Sequence, residues 1–294
     1  MNATPTITPP NYGTHFREWY RANKETIARV DPAFAVRSAI ADLLLAQATY
    51  VLLPLDGAIL HHDSLPRAEY APHLRLPAPI TAFEFTSSFN RPPADHLGMV
   101  SRRRIALCFD ESIHQNFLNA RPDIDAGAWV CLSIFSMDLT HGWMVYPAFT
   151  IVSGSRTIRF DAEMAAMAAA QLQELRTVGL DFGPKPPMAP LGTEMLDIRA
   201  VSLIGGETLS AALAWNDTHE EVIAALQACV AFNTARIRVT ETPPPAALNH
   251  KRLAAGKLPF AAYRIFEPRE APSDFLSKTY QTADSGAGFS AARH

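Results

Sequence analysis

The sequence predicts an α+β fold, with a mainly antiparallel sheet, packed helices and a helical pair at the N-terminus. Strand-like runs follow one another between residues 80 and 153 without a long helical segment, and apolar residues before residue 53 recur at helical spacing. The chain has 294 residues, of which 48% are hydrophobic and 19% charged, so it is long enough to bury a substantial core. We expect residues 1–270 to form one globular α+β domain and residues 271–294 to form a flexible tail.

Two helices are predicted before residue 53. The first begins at about Tyr12, where aromatic residues follow helical spacing. Asp31-Pro32 then combines a good N-cap with a proline at the first helical position. The second helix is expected from Ala33 to about Leu52, because Pro54 stops it. Ala, Leu and Ile go nearly all round this helix, so we expect it to be buried on most of its faces.

Four strands are predicted in the middle of the chain. Alternation of apolar and polar residues, or enrichment in aromatic and β-branched residues, marks each of them. They are Ile80–Phe85, Arg104–Phe109, Trp129–Met137 and Trp143–Ser153. The short segment 138–142 between the last two fits a hairpin loop, which favours antiparallel pairing.

The second half of the chain is predicted to mix helices and strands. A helix over Phe160–Val178 has Asp161 as its cap, and a second helix starts at Thr218 and runs to about Asn233. The proline-rich segment 181–190 between them is expected to be a loop or linker. Four further strands are expected at residues 198–203, 209–215, 236–241 and 261–266.

Composition excludes several broad classes of protein. A formal net charge of −3 does not mark the whole molecule as a binder of polyanions. Cys108, Cys131 and Cys229 lie in apolar settings with no CxxC spacing, so we expect buried, reduced thiols and neither disulfides nor a zinc site. The longest apolar stretch, residues 39–55, is interrupted by polar residues, and the N-terminus lacks the features of a secretory signal. We therefore expect no membrane association and a cytoplasmic location.

The search for catalytic motifs gives one weak candidate. No phosphate-binding loop, dinucleotide fingerprint, serine-nucleophile elbow or HExxH site occurs, and we expect no cofactor. His61-His62-Asp63 is the most metal-like cluster, because a divalent ion accepts both imidazole and carboxylate ligands. It lies in a predicted loop before Pro66, where solvated residues are the more ordinary interpretation. A metal-dependent phosphodiesterase or nuclease using these three residues is the alternative, enzymatic hypothesis.

Three acidic pairs are candidates for general acid–base chemistry or cation binding. They are Asp110-Glu111, Asp123/Asp125 and Glu220-Glu221. None completes a calcium-binding pattern, and the last pair falls in the first turn of a predicted helix, where acids favour the helix dipole. A structural role is the more ordinary interpretation of each pair.

Two groups of basic residues are candidate binding sites. The first is Arg102-Arg103-Arg104, at the entry to a predicted strand. A solvated edge protected against aggregation is its ordinary interpretation, and a phosphate or nucleic-acid contact is the alternative. In an alternating strand, Arg102 and Arg104 would face one way and Arg103 the other.

The second group is a basic turn near the C-terminus, formed by Asn249, Lys251, Arg252, Lys257 and, in the following strand, Arg264. Asn249 is expected to cap a short helix, Gly256 to end it in the left-handed conformation and Pro259 to prevent its continuation. Lys251, Arg252 and Lys257 are expected to be exposed and to form the most positive surface of the molecule. Either this surface contacts an acidic partner, or the turn is a structural clasp.

The segment 226–267 resembles an uncharacterised family of phage- and prophage-encoded proteins. The resemblance rests on the pattern Asn-x-x-Arg-x-x-x-Gly-Lys-x-Pro, here Asn249, Arg252, Gly256, Lys257 and Pro259, between a strand ending in Thr/Glu and a strand containing Tyr263. It implies a phage or mobile-element accessory protein in the host-cell cytoplasm. We therefore expect a non-enzymatic protein that binds a macromolecular partner, with a protein partner favoured and nucleic acid possible through the basic turn.

Overall fold

The computed structural model describes residues 9–60, 67–87, 101–110, 127–137, 142–163, 191–202 and 211–269, together with residues 113, 165–166, 169–170 and 173. Its elements appear in the following order along the chain. They are α1 (Tyr12–Val30), α2 (Pro32–Leu45), β1 (Thr49–Leu52), 3-10 helices at Leu55–Gly57 and Ala68–His73, β2 (Ile80–Thr86), β3 (Arg103–Asp110), β4 (Trp129–Met137), β5 (Gly142–Arg159), β6 (Glu194–Ser202), α3 (Ala211–Asn233), β7 (Ile237–Thr242), α4 (Ala246–Ala254) and β8 (Tyr263–Pro268).

All the described strands join one sheet, in the order β6-β5-β4-β3-β2-β1-β8-β7. Five of its seven strand pairings are antiparallel, whereas β1 lies parallel to both of its neighbours, β2 and β8. The predicted α+β class, with a mainly antiparallel sheet and an N-terminal helical pair, is confirmed. The pairing of β4 with β5 shifts register between Leu132 and Ile134, which marks an irregularity in the middle of the sheet.

Alternating side chains divide the core between the two faces of the sheet. On one face Phe16 and Leu44, from the N-terminal helical pair, pack with Ile105 and Leu107 of β3. On the other face α3 lies across Ala106 and Cys108 of the same strand. Every buried residue of β3 therefore serves one core or the other, which fixes both layers of helix relative to the sheet.

The helical pair forms as the sequence predicts, because Asp31 accepts a hydrogen bond from the Phe34 amide at 2.9 Å and Pro32 takes the first helical position. The predicted end of α2 is wrong. The helix stops at Leu45, and residues 49–52 form β1, because Thr49, Tyr50 and Val51 favour an extended chain and pair on both sides.

The outer face of α2 also differs from the prediction. The helix buries Ser38, Ala41, Leu44 and Leu45, but it leaves Val36 and Leu43 about half exposed. The expected burial on most faces is therefore wrong, because only one side of the helix meets the sheet.

The second half contains one further correction. Residues from Ala211 onward belong to α3, where the sequence predicts a strand over 209–215, because alanines at 211, 212 and 214 favour a helix. Helix α3 thus begins before the predicted Thr218, and Glu220-Glu221 lies in its interior instead of its first turn. The strands expected at 198–203, 236–241 and 261–266 are confirmed within a few residues as β6, β7 and β8.

Several predicted elements fall outside the described residues, wholly or in part. Of the helix expected over 160–178, the first turn is described, and there the Ala165 amide donates to the Asp161 carbonyl at 3.0 Å. The hairpin loop at 138–141, the linker at 181–190 and the tail at 271–294 lie outside the described part of the chain.

Candidate functional site

Helix α4 and the turn after it are attached to the protein by polar side chains. Asn249 forms two hydrogen bonds with the backbone of Phe260: its amide nitrogen donates to the carbonyl, and its amide oxygen accepts from the N–H, each at 2.8 Å. Arg252 donates from Nε to the Leu258 carbonyl at 2.7 Å. None of the nine residues of α4 is buried, so these two inward side chains hold the helix in place of an apolar core.

The same turn is fastened to helix α1. Arg252 Nη2 lies 2.6 Å from Glu18 Oε1, and this carboxylate oxygen also accepts from the Leu258 amide at 3.0 Å. The guanidinium carbon of Arg252 stands 3.8 Å from the centre of the Phe260 ring, a cation–π geometry. His15 of α1 also contacts the Phe260 ring edge-on, with 6.0 Å between the two ring centroids.

These contacts correct two predictions about the basic turn. Asn249 is not the helix cap, because α4 begins at Ala246 and Asn249 lies inside it. Arg252 is not exposed. Only 13% of its side chain is accessible to solvent, because it forms an ion pair with Glu18 and packs over the Phe260 ring. Gly256 adopts the left-handed conformation as predicted, with φ of 70°.

Two lysines remain as the exposed charges of the turn. Lys251 and Lys257 are exposed, and neither forms an ion pair within the described part of the chain. Arg264 of β8 lies 3.4 Å from Glu241 of β7. The cationic side chains of this region therefore divide into two paired arginines and two accessible lysines.

The Arg102-Arg103-Arg104 group is also divided. Arg102 and Arg103 are exposed. Arg104 instead contacts α3, where its Nη1 lies 2.9 Å from the fully buried Glu221. Its second amino group lies 3.5 Å from Glu220, and its guanidinium stands over the Phe135 ring. The solvated-edge interpretation is wrong for Arg104, because β3 is an internal strand of the sheet.

His15 of α1 lies beside the basic turn that follows α4. This residue is partly buried near the start of α1, and burial lowers its pKa. Glu18 opposes that shift, whereas the nearby positive charges of Arg103 and Arg252 reinforce it.

Along β3, Arg103 shares a face with Ile105 and Leu107, which pack on the α1 side of the sheet. The α4 turn is bonded to Glu18 of α1, so both basic segments lie on that side. We refer to Arg103, Lys251 and Lys257, which are all exposed, as the basic surface.

A buried carboxylate that the sequence does not mark as a site lies beneath the start of α1. Glu84 of β2 is inaccessible to solvent, and it accepts hydrogen bonds from the amides of Tyr12 and Gly13 and from the Tyr263 hydroxyl, at 2.7–2.9 Å. Burial raises its pKa to about 7 against the opposing effect of these donors. The available signal was that Glu84 is the single charged residue in the predicted strand Ile80–Phe85.

Glu221 is the second missed carboxylate. It is fully buried, and burial raises its pKa to about 7, although Arg104 acts in the opposite direction. One oxygen bonds Arg104, while its Oε2 has no hydrogen-bond partner in the structure. An acidic pair inside an alanine-rich helix was visible in the sequence, but the arginine that faces it was not.

The three cysteines are buried and free, as predicted. Cys108 and Cys131 are direct partners across β3 and β4, and burial raises the pKa of the Cys108 thiol. Burial likewise raises the pKa of Cys229 of α3, with a smaller effect from Cys131. The sheet therefore gathers three cysteines that are far apart in sequence, in an apolar setting that disfavours thiolate chemistry.

Of the remaining sequence candidates, Asp110 is the last residue of β3, and its neighbour Glu111 lies outside the described residues. His61-His62-Asp63 and Asp123/Asp125 lie outside the described residues. Within the described residues, no group of three or more His, Cys, Asp or Glu side chains is arranged to hold a metal ion. Over the same part of the chain, no helix has the length and apolar character needed to cross a membrane.

Comparison of the chain with protein-family models, with curated proteins and with solved structures gave no match. The resemblance to a phage and prophage family stays a prediction.

Proposed function

We propose that this protein acts by binding a macromolecular partner through the basic surface, without catalysing a reaction. The observation that carries the proposal is that Arg103 and the α4 turn both lie on the α1 side of the sheet, which places two separate basic segments of the sequence on one side of the molecule. An anionic partner gains electrostatic attraction from such a grouping, both in its rate of association and in its choice of orientation.

The construction of the α4 turn supports a binding role. Hydrogen bonds from Asn249 and Arg252 fix the backbone that carries the two lysines, so the lysines extend from a fixed scaffold. Preorganisation of this kind lowers the entropic cost of association. The turn therefore combines both alternatives that the sequence left open. Arg252 attaches it to the protein as a clasp, and Lys251 and Lys257 face solvent.

The biological setting is proposed on the Asn249–Pro259 pattern described above. In this proposal the protein is an accessory factor of a phage or mobile element, and it works in the cytoplasm of the host cell. Its partner is a host or phage macromolecule, and a protein is favoured over nucleic acid.

The proposal is tested by reversing charge on the basic surface. We expect the Arg103→Glu, Lys251→Glu and Lys257→Glu triple variant to lose the partners that co-purify with the wild-type protein from the native host. Nuclease treatment of half of each sample separates direct protein partners from those bridged by nucleic acid.

The matched control reverses three exposed cations elsewhere, Lys24, Arg29 and Arg238, with the same change in net charge. This control should retain the wild-type partners, and all three proteins should unfold at similar temperatures because exposed charges contribute little to stability. Equal retention of partners by both triple variants would refute the proposal.

A further inference from the structure

We infer that this protein forms a two-fold symmetric dimer, in which the edge strand β7 pairs with β7 of a second copy. This interface is separate from the basic surface, so it does not depend on the proposed function. Two features of β7 carry it: the backbone groups that the strand leaves unpaired, and the register in which a second copy satisfies them.

β7 is one of the two edge strands of the sheet, and its middle is uncovered. Residues 238–241 are all exposed, so neither face of the strand is covered there. The opposite edge differs, because Arg67 forms an antiparallel bridge with Met195 of β6. Natural sheet edges are often protected by a proline, a bulge or a covering segment. Residues 237–242 contain no proline and keep one continuous register with β8, so β7 is open to another strand.

The hydrogen bonds with β8 show which backbone groups of β7 point outward. The Arg269 amide donates to the Arg236 carbonyl at 3.0 Å, one step beyond the paired strands and in the same register. Hydrogen-bonded and non-hydrogen-bonded pairs alternate along an antiparallel ladder. The N–H and C=O groups of Ile237, Val239 and Glu241 therefore point away from β8.

These outward residues are not equivalent. Ile237 is buried, and its carbonyl accepts a hydrogen bond from Arg269 Nε at 3.2 Å. Within the described part of the chain, the outward backbone groups of Val239 and Glu241 form no hydrogen bond. The uncovered middle of β7 thus offers two unpaired donors and two unpaired acceptors.

A second copy satisfies all of these groups in one antiparallel register. Val239 then faces Glu241 of the second copy, and Glu241 faces its Val239, so each copy donates and accepts two hydrogen bonds. The interface is isologous, with Thr240 facing Thr240 of the second copy at the two-fold axis. Threonine pairs are favourable across antiparallel strands, and no like charges stand directly opposite each other in this register.

The ends of this register also match. The next pair would place Pro243 of the second copy opposite Ile237. Proline has no N–H to donate, and the Ile237 carbonyl is already occupied by Arg269. A slip that places Val239 opposite itself would instead require the occupied Ile237 carbonyl as the partner of Glu241. The unpaired groups therefore select one register.

The symmetry of this dimer has a consequence for binding. A two-fold axis that joins antiparallel strands in one sheet is perpendicular to the sheet, so it keeps each face on its own side. The α1 sides of both copies, and with them both basic surfaces, face the same way. A partner with more than one acidic site would therefore gain avidity from the dimer.

Disulfide trapping in the full chain tests the register. Thr240→Cys places two thiols at the two-fold axis, where non-hydrogen-bonded partners have Cα atoms about 4.5 Å apart, within the range of a disulfide. Oxidation with diamide should convert this variant to a covalent dimer. Arg238→Cys is the matched control on the same face, because its two copies lie about 13 Å apart along the paired strands. This control and the wild-type protein should stay monomeric on a denaturing gel.

Sedimentation velocity of the unmodified protein measures the association itself. The interface is small, so we expect a Kd in the micromolar range or weaker. Val239→Pro removes an outward N–H that β8 does not use, so thermal unfolding should stay close to that of the wild type. The same change removes half of the intermolecular hydrogen bonds, and Kd should rise at least about tenfold. Val239→Thr keeps the N–H group and should associate like the wild type.

Three results would overturn the inference. The first is a wild-type protein that stays monomeric up to about 500 µM. The second is trapping of Arg238→Cys as readily as Thr240→Cys. The third is a monomeric wild type from which Val239→Pro loses a co-purified protein, because the edge then receives a strand of another protein. All three leave the proposed function untouched, since none of these variants alters the basic surface.

Discussion

Glu18 and Arg252 meet at 2.6 Å although they stand 234 positions apart in the sequence. The first belongs to the N-terminal helix and the second to a helix between the last two strands. Their contact fastens the exposed α4 turn to the body of the protein. The free energy of that contact decides whether the turn is a rigid element or a loosely attached one.

We expect a double-mutant cycle of Glu18→Ala and Arg252→Ala to give a coupling energy of about 1–2 kcal/mol, because the hydrogen bond is charge-assisted and partly shielded from solvent. Urea denaturation of the four proteins measures it. The matched control is the Arg264 and Glu241 pair, whose side chains are 36% and 76% exposed. Its coupling should stay below about 0.5 kcal/mol. Equal coupling in both cycles would contradict a special role for the clasp.

Removing Arg104 should destabilise the protein by about 3 kcal/mol, because it leaves Glu221 as a buried carboxylate without its counter-ion. Arg104→Ala raises the pKa of Glu221 above its wild-type value of about 7, so the loss of stability relative to wild type should grow as the pH rises above about 7. Denaturation at several pH values measures this slope. Arg102→Ala, at an exposed neighbour, is the control and should change stability by less than about 0.5 kcal/mol.

Glu84 should make stability depend on pH in a defined window. Its pKa rises from 4.5 to about 7 on folding, so the folded state binds the proton more tightly than the unfolded chain does. The resulting stabilisation is complete below pH 4.5 and is lost as pH rises to about 7, by up to about 3 kcal/mol.

Glu84→Gln removes the proton that Glu84 binds, so its stability should decline less steeply than that of the wild type; the remaining decline comes from Glu221, whose pKa is also raised to about 7. Chemical denaturation of both proteins from pH 4.5 to 8 compares the two slopes. Glu69→Gln, at an exposed position, should keep the wild-type slope. A Glu84→Gln curve parallel to the wild type would show that the carboxyl group does not titrate in this window.

Two glycines with positive φ should respond differently to alanine. Gly57 has φ of 66°, and a Cβ there would lie 2.5 Å from Ala224 Cβ of α3; Gly256 has φ of 70° with nothing within 4 Å. Gly256→Ala should cost about 1 kcal/mol for the left-handed backbone. Gly57→Ala should cost about 1–3 kcal/mol more, because the 3-10 helix must move away from α3. Thermal unfolding ranks them, and equal losses would mean that the 3-10 helix moves freely.

The three cysteines should resist a thiol reagent in the native protein and react fully in denaturant. Burial disfavours both access and the thiolate form at Cys108 and Cys229. Mass spectrometry after brief labelling counts the modified thiols. A Lys257→Cys variant supplies an exposed thiol as the positive control. Rapid native labelling at Cys131 would show that β3 and β4 separate readily.

The parts of the fold that the sequence predicts are those specified by neighbouring residues. Asp31-Pro32 starts α2 through a cap and a fixed φ, both of which act within three residues. The strands from residue 80 to residue 153 carry alternation that each segment displays alone. Gly256 takes its left-handed conformation for a similarly local reason.

The failures come from relationships across the chain. Thr49–Leu52 is a four-residue strand whose pairing with β2 and β8 decides its structure, and continuity with a predicted helix concealed it. Arg252 and Arg104 were visible as charges, but their acidic partners, Glu18 and Glu221, are distant in sequence. The sequence therefore locates cations and leaves open which of them remain available to a partner.

The position of β1 has a consequence for the order in which this protein assembles. Tyr50 has Ala82 as its neighbour on one side and Tyr263 on the other, so the interior of the sheet is closed by two ends of the chain. During synthesis, the side of β1 that awaits β8 stays unpaired until Tyr263–Pro268 has left the ribosome. Closing so long a loop is entropically slow. The newly made chain thus exposes the edge of β1, in the middle of its future sheet. The time during which that edge can aggregate is set by the time needed to make β8.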